Sequence, residues 1–132
     1  MIDSEGQRNP QAEPKPTILF VEDDAGVRLI TERILRRGGY DLLVATNGQN
    51  ALELARDHDG PIAMLLTDIN MPELSGQELS SQLTAERPGL RVIFISGYTS
   101  DVVDLAGSDV YFLGKPYMPK ELLEKVREVL SP

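Results

Sequence analysis

Five short apolar runs alternate with amphipathic segments from about residue 17 to the end of this 132-residue chain. The runs are rich in β-branched residues and lack polar alternation, which is typical of strands that are covered on both faces. Strands that alternate with helices form βαβ units, so the pattern predicts an α/β domain with a parallel sheet. The predicted strands are residues 17–21, 42–46, 62–67, 91–95 and 110–113.

The segments between these strands carry start and stop signals of helices. Asn47 is a predicted N-cap, and Ser75 followed by Glu78 has the pattern of a capping box. The apolar segment 99–106 is barely two turns long, so we expect it to be the least stable helix. The predicted helices are residues 24–37, a second after Asn47, a third from Ser75, a fourth at 99–106 and a last one that starts near Pro119.

Composition limits the function of the chain. The absence of cysteine excludes disulfides, thiolate catalysis and cysteine-based zinc sites, and it fits a cytoplasmic protein. The formal net charge of −8 argues against an autonomous nucleic-acid binder, which would present a basic face. No apolar run approaches the ~20 residues that span a membrane. The polar, proline-bearing residues 1–16 predict a flexible tail or linker before a domain at 17–132.

The most informative residues stand where the predicted strands end. The third run ends in Asp68, and the Met71-Pro72 dipeptide breaks the strand soon afterwards because proline lacks a backbone N–H. In an open α/β sheet, ligands bind at the edge formed by the carboxyl ends of the strands. The other polar residues predicted at that edge are Glu22, Asp23, Asp24, Asn70, Ser96 and Lys115.

Each of these residues alone has a structural explanation. The acids at 22–24 could cap the first helix, and Asp68 could begin a turn. Ser96 could cap a helix, and Lys115 could be an ordinary surface lysine. Their joint placement at one end of one sheet favours a functional site instead.

The acids predicted at this edge indicate a cation site, because crowded carboxylates repel one another unless a cation lies between them. Magnesium prefers oxygen ligands, and a carboxylate can itself accept a phosphoryl group. The Lys115 ammonium and the Ser96 hydroxyl could stabilise the charge that such a group brings. The set therefore predicts Mg²⁺-dependent phosphorylation of Asp68.

The motifs at the strand ends resemble those of the response regulator receiver domain of two-component signalling. The resemblance covers residues 17–130 and implies a flavodoxin-like, doubly wound α/β fold. Such a fold has five parallel strands in the order 2-1-3-4-5, with helices on both faces of the sheet. The matching segments are 18–24 (ILFVEDD), 68–72 (DINMP), Ser75-Gly76, 94–98 (FISGY) and 115–117 (KPY).

The resemblance implies a role for each site residue. Asp68 is the expected phosphoacceptor, Ser96 would hydrogen-bond the phosphoryl group, and Lys115 would pair with it. The expected Mg²⁺ ligands are Asp23 directly, Glu22 mainly through water, the Asp68 carboxylate and the Asn70 backbone carbonyl.

Further positions follow from the same resemblance. Phe112 would be the switch aromatic that responds to Ser96, at a position where many members have tyrosine, so it offers no hydroxyl to a partner. Asn70 and Tyr98 are expected to tune the lifetime of the phosphoryl group. The peptide bond before Pro116 is often cis in the family. The expected output surface combines the predicted fourth helix, the fifth strand and the last helix.

The family implies a bacterial signalling domain that catalyses only its own phosphotransfer and slow dephosphorylation. Its expected partners are a histidine kinase or histidine phosphotransfer protein and a downstream protein target. We expect a cytoplasmic monomer or a phosphorylation-dependent dimer that contacts neither nucleic acid nor membrane.

Three alternatives remain open at this point. The chain could be the receiver module of a hybrid histidine kinase, with residues 1–16 as linker, because the segment 94–99 also resembles such receivers. It could be an interaction module that works without phosphorylation. It could also be a metal-dependent phosphatase, although aspartyl phosphatases commonly carry their nucleophile after the first strand.

Overall fold

The computed structural model describes residues 15–97 and 110–131, which form a five-stranded sheet and four helices. The predicted tail up to residue 14, the predicted helix at 99–106 and Tyr98 lie outside these ranges. No helix within the described ranges is long and apolar enough to cross a bilayer. The elements are β1 Thr17–Val21, α1 Ala25–Arg37, β2 Asp41–Ala45, α2 Gly48–Asp57, β3 Met64–Asp68, α3 Gly76–Glu86, β4 Arg91–Ser96, β5 Val110–Gly114 and α4 Pro119–Leu130.

All neighbouring strands of the sheet are parallel, in the order β2-β1-β3-β4-β5. This order confirms the predicted doubly wound α/β architecture. The chain goes from β1 to the edge strand β2, crosses back over β1 to β3 and continues outward through β4 and β5, so β3 lies at the centre of the sheet. Asp68, the last residue of β3, therefore has a strand end on either side.

The strand boundaries differ slightly from the prediction. The third strand spans Met64–Asp68 rather than 62–67, because among the described residues its pairing with both neighbours begins at Met64, opposite Ile18 and Arg91. Asp68 is consequently inside the ladder, opposite Ile95. The first strand matches the prediction at 17–21, β2 is shifted by one residue to Asp41–Ala45, and β4 and β5 are each one residue longer, ending at Ser96 and Gly114.

The two faces of the sheet bury two separate apolar clusters. Along β1, Ile18 and Phe20 point to one cluster, while Leu19 and Val21 point to the other, as the two-residue period of a strand requires. The first cluster packs α1 and α4 against the sheet through Leu35, Leu122, Val126 and Val129. The second packs α2 and α3 through Ala51, Leu52, Ala55, Leu79 and Leu83.

Three helices begin with side-chain caps, and each begins shortly after a strand end. The Asp24 carboxylate accepts from the Val27 N–H at 3.0 Å and caps α1. The predicted N-cap Asn47 accepts from the Asn50 N–H at 2.8 Å. The predicted capping box of α3 is also present, in which Ser75 and Glu78 exchange hydrogen bonds of 3.2 and 3.0 Å. These caps fix the chain direction next to the edge where the polar residues collect.

Candidate functional site

The carboxyl ends of β1, β3, β4 and β5 surround an open cavity of about 410 Å³. All seven polar residues predicted at this edge line it, including every residue expected to contact a phosphoryl group. The structure thus brings together side chains that lie far apart in the sequence. The lining residues are Glu22, Asp23, Asp24, Asp68, Asn70, Ile95, Ser96, Gly97 and Lys115.

The Lys115 ammonium lies between the two buried acids of the cavity. Its Nζ is 2.8 Å from Asp68 Oδ1 and 3.3 Å from Glu22 Oε1. Burial alone lowers the pKa of Lys115, but the hydrogen bond and charge of Asp68, together with the charge of Glu22, outweigh burial and raise that pKa. The lysine is therefore charged at neutral pH, and it neutralises part of the negative charge at the strand ends.

The three acids carry more negative charge than one lysine can balance. Glu22 is 1% exposed and Asp68 is 5% exposed, whereas Asp23 is open to solvent. Each acid contributes one carboxylate oxygen to a cluster of three, and all three oxygens lie within 4.8 Å of one another. Oxygen atoms in this arrangement are the donor set that Mg²⁺ prefers, so the residues fit a magnesium ion.

A second observation at Glu22 also fits a cation. Its buried Oε1 faces the Lys115 ammonium at 3.3 Å but, within the described part of the chain, forms no hydrogen bond, while Oε2 accepts from the Asp24 N–H at 3.2 Å. Buried acceptors that lack a hydrogen bond are rare, and an ion is one of the usual reasons for them. Burial, followed by the neighbouring Asp68, raises the pKa of Glu22 to about 7.

Because the pKa of Glu22 is raised, the free energy of unfolding of the metal-free protein should depend on pH. The folded form holds the Glu22 proton up to about pH 7, whereas the unfolded chain releases it near 4.5. Between these values the folded state binds more protons, so the free energy of unfolding falls as the pH rises. We expect a loss of about 2 kcal/mol between roughly pH 5 and pH 8 in EDTA, measured by urea unfolding.

The variant Glu22→Gln isolates this effect, because glutamine stays neutral throughout the range. The free energy of unfolding of this variant should change much less with pH than that of the wild type. The exposed Glu53 on α2 offers the matched control, and Glu53→Gln should keep the wild-type dependence. An unchanged slope in Glu22→Gln would show that another group carries the effect.

The loop after β3 is held close to the backbone of Asp68. The Ile69 N–H donates to the Ile95 carbonyl at 3.1 Å, and the Gly76 N–H donates to the Ile69 carbonyl at 2.8 Å. Between them, Glu73 adopts a φ of 70°, and the Leu74 N–H donates to the Pro72 carbonyl at 2.8 Å. This tight turn lets the chain reverse within a few residues and places the first turn of α3 against Asp68.

Ser96 and Lys115 are joined through the backbone as well as by their shared cavity. The Lys115 N–H donates to the Ser96 carbonyl at 2.8 Å, which extends the β4–β5 ladder past Gly114. Ser96 is 8% exposed at the end of its strand. The Lys115–Pro116 peptide is cis, as the sequence resemblance implies.

The expected switch residue Phe112 does not line the cavity. It lies opposite Phe94 in the β4–β5 ladder, and the two ring centroids are 5.9 Å apart at an interplanar angle of 31°. The Phe112 ring is half-buried, so part of it already packs against the second apolar cluster. Tyr98, the other aromatic residue expected near the site, lies outside the described residues.

Sequence reasoning missed two contacts that α1 makes with the site. Arg28 Nη1 donates to the Glu22 carbonyl at 2.8 Å, and Thr31 Oγ1 lies 2.7 Å from Tyr117 Oη. Thr31 occupies an inward position of the helix and is 1% exposed. The polar Thr31 at an inward position of α1 could have indicated a buried hydrogen bond. Its partner Tyr117 could not be identified, because it lies 86 residues away in the sequence.

Comparison with known proteins places most of the chain in one family. Residues 18–127 match the family model described as the response regulator receiver domain. The sensor kinase CckA of Brucella abortus is 35% identical over 118 residues, which cover 87% of this chain and 12% of that kinase. The response regulator receiver protein CpdR of the same organism is 34% identical over 116 residues, which cover 86% of this chain and 95% of CpdR.

A solved structure agrees with these sequence relatives. The receiver domain of the hybrid histidine kinase CckA superposes with a TM-score of 0.76 at 37% identity, over 87% of this chain and 99% of that domain. Among longer relatives, the chain spans 51% of the transcriptional regulatory protein CreB of Escherichia coli.

Proposed function

Because the chain belongs to the response regulator receiver domain family, a family of two-component signalling domains, we propose that it accepts a phosphoryl group on Asp68 from a phosphohistidine donor in an Mg²⁺-dependent reaction. The observation that carries the proposal is the position of Lys115 Nζ, which contacts Asp68 and Glu22 inside a cavity that Ser96 also lines. A cation is thus already in place beside the carboxylate that would receive the phosphoryl group.

In the proposed reaction, a carboxylate oxygen of Asp68 attacks the phosphorus of the donor. The bond between phosphorus and the histidine nitrogen breaks, and its electron pair returns to the imidazole. Lys115 stabilises the developing charge on the phosphoryl oxygens, and the Ser96 hydroxyl donates a hydrogen bond to one of them.

Magnesium would be held by Asp23, Asp68 and the Asn70 backbone carbonyl, with Glu22 acting mainly through water. When bound, Mg²⁺ supplies positive charge that offsets the repulsion between the carboxylates and the incoming phosphoryl group. Burial, together with the neighbouring Asp68, raises the pKa of Glu22 to about 7, and a buried carboxylate beside another acid is stabilised by a nearby cation, which supports this assignment.

The proposed output is a change in the surface that includes β5 and α4. Ser96 would move toward the phosphoryl group, and the Phe112 ring would follow into the space beside it. The contact between Phe112 and Phe94 supports this idea, because Phe94 precedes Ser96 by two residues on the same strand. Asn70 and Tyr98 are proposed to tune how long the phosphoryl group survives.

The proposed partners are a histidine kinase or histidine phosphotransfer protein and a downstream protein target. Residues 17–132 would form the receiver unit, and residues 1–16 would act as a tail or linker. The similarity to nearly the whole of CpdR favours a stand-alone regulator, while the similarity to part of CckA favours a module of a hybrid kinase. The proposed site chemistry is the same in both arrangements.

The proposal is tested by incubating the protein with acetyl phosphate and measuring its intact mass. We expect the mass of one phosphoryl group to be added with Mg²⁺ and little addition in EDTA. Borohydride reduction followed by peptide mapping should place the modification on Asp68. No addition under any condition would favour the phosphorylation-independent module, and steady turnover of p-nitrophenyl phosphate would favour the phosphatase.

A further inference from the structure

Helix α1 forms hydrogen bonds to both sides of the site. Arg28 and Thr31 lie three residues apart, so they face the same side of the helix. Arg28 bonds to the backbone carbonyl of Glu22, and Thr31 bonds to the hydroxyl of Tyr117. One rigid element therefore contacts the residue that carries a buried carboxylate and the loop that carries the lysine.

The lysine loop is short, and three hydrogen bonds mark its two ends and its middle. Residues 115–118 connect the end of β5 to the start of α4. At one end, the Lys115 N–H is fixed to the Ser96 carbonyl, and at the other, the Met118 N–H bonds to Glu121 at the start of α4. Between these two ends, the bond from Tyr117 to Thr31 ties the middle of the loop to α1.

The Tyr117–Thr31 bond lies in partly buried, mostly apolar surroundings. Thr31 is buried, Tyr117 is half-buried, and an apolar cavity of about 380 Å³ lies beside them, lined in part by Val27, Ile34 and Pro119. Burial raises the pKa of Tyr117, so its hydroxyl remains protonated and can donate or accept. A hydrogen bond in such surroundings persists, because opening it would leave polar groups without partners.

We infer that Tyr117 is a positioning residue for phosphoryl transfer: its hydrogen bond to Thr31 holds the loop 115–118 against α1, so that Lys115 Nζ stays between Asp68 and Glu22. This inference rests on the proposed function. The Lys115 ammonium is carried on a flexible four-carbon stem, so a fixed backbone reduces the number of conformations in which Nζ is away from Asp68. Tyr117 itself touches none of the reacting atoms and acts through Lys115.

The first test removes only the hydroxyl. Tyr117→Phe should be phosphorylated by acetyl phosphate about three- to tenfold more slowly than the wild type, which is the effect of one lost hydrogen bond. Thr31→Val should slow the reaction equally, and the double variant should be no slower than either single one. Thr31→Ser keeps the hydroxyl and should retain the wild-type rate. Tyr40→Phe, at the opposite edge of the sheet, is the matched control and should also react at the wild-type rate.

The second test separates positioning from a general loss of structure. In a Lys115→Met background, Tyr117→Phe should not slow phosphorylation further, because the group that it positions is gone. A further slowing in that background would overturn the inference, as would a Tyr117→Phe rate within twofold of the wild type while the wild type is modified on Asp68. If the wild type takes up no phosphoryl group from acetyl phosphate, the proposed function fails and the inference fails with it.

Discussion

Asp68→Asn should take up no phosphoryl group from acetyl phosphate under conditions in which the wild type takes up one. The amide oxygen of asparagine is a far weaker nucleophile than a carboxylate, and the product would not be a stable acyl phosphate. The other acids of the cavity do not replace it. Glu22 lies farther from the Lys115 ammonium than Asp68 does, at 3.3 against 2.8 Å, and Asp23 is exposed beyond β1 rather than at the centre of the sheet. The intact mass after incubation measures this effect directly.

This loss should not come from unfolding. Asparagine has nearly the shape of aspartate, and it removes one charge from a group of acids that repel one another. Lys115 keeps Glu22 as a partner at 3.3 Å. We therefore expect the metal-free variant to unfold at a temperature equal to or above that of the wild type. Asp57→Asn, an exposed change at the end of α2, is the control that should leave phosphorylation intact. Full modification of Asp68→Asn would refute the assignment of the phosphoacceptor.

Gly76→Ala should lower the free energy of unfolding by about 3 kcal/mol or more, which is at the upper end of the losses caused by adding atoms to a packed interior. A β-carbon at this position would overlap the backbone carbonyl oxygen of Asp68 and lie 3.1 Å from the Cα of Ile69. Backbone atoms in a central strand cannot rotate away as a flexible side chain would. The loop must shift instead, and the bond from the Gly76 N–H to the Ile69 carbonyl would be strained or lost.

The same substitution should also impair phosphorylation, because the carbonyl that is displaced belongs to the phosphoacceptor residue. Gly26→Ala is a close control, since both glycines lie in the first turn of a helix. There, the nearest atom to an added β-carbon is the Asp24 carboxylate at 3.4 Å, an ordinary contact. Alanine should be neutral or slightly stabilising at residue 26. Urea unfolding of the two variants measures the difference, and equal stabilities would contradict the role assigned to Gly76.

The sequence was sufficient to predict the features that follow from periodicity and from strand ends. The apolar runs predicted the strands to within two residues, and the cap residues Asn47 and Ser75 were identified because capping is a local interaction. The gathering of Glu22, Asp68 and Lys115 also followed from the sequence, since parallel strands deliver their carboxyl ends to one edge.

Contacts between distant segments were not predictable in this way. The pairing of Thr31 with Tyr117 depends on how α1 packs against the loop before α4, and nothing local to either residue specifies it. The close approach of Gly76 to Asp68 likewise results from a loop with a positive φ at Glu73, a residue type that does not signal one. The role of Asp24 was ambiguous in the sequence, and the structure shows it capping α1 while it also borders the cavity.

The hydrogen bond from the Lys115 N–H to the Ser96 carbonyl has a thermodynamic consequence. This bond connects the backbones of Ser96 and Lys115, the two residues proposed to contact the phosphoryl group. Lys115 directly follows β5, so a shift of β5 would also move this bond. A partner that prefers one position of β5 would then change the energy of the modified acceptor as well. Linkage requires the coupling to be reciprocal, so a target that binds the modified form more tightly also makes the modification itself more favourable, by the same free energy.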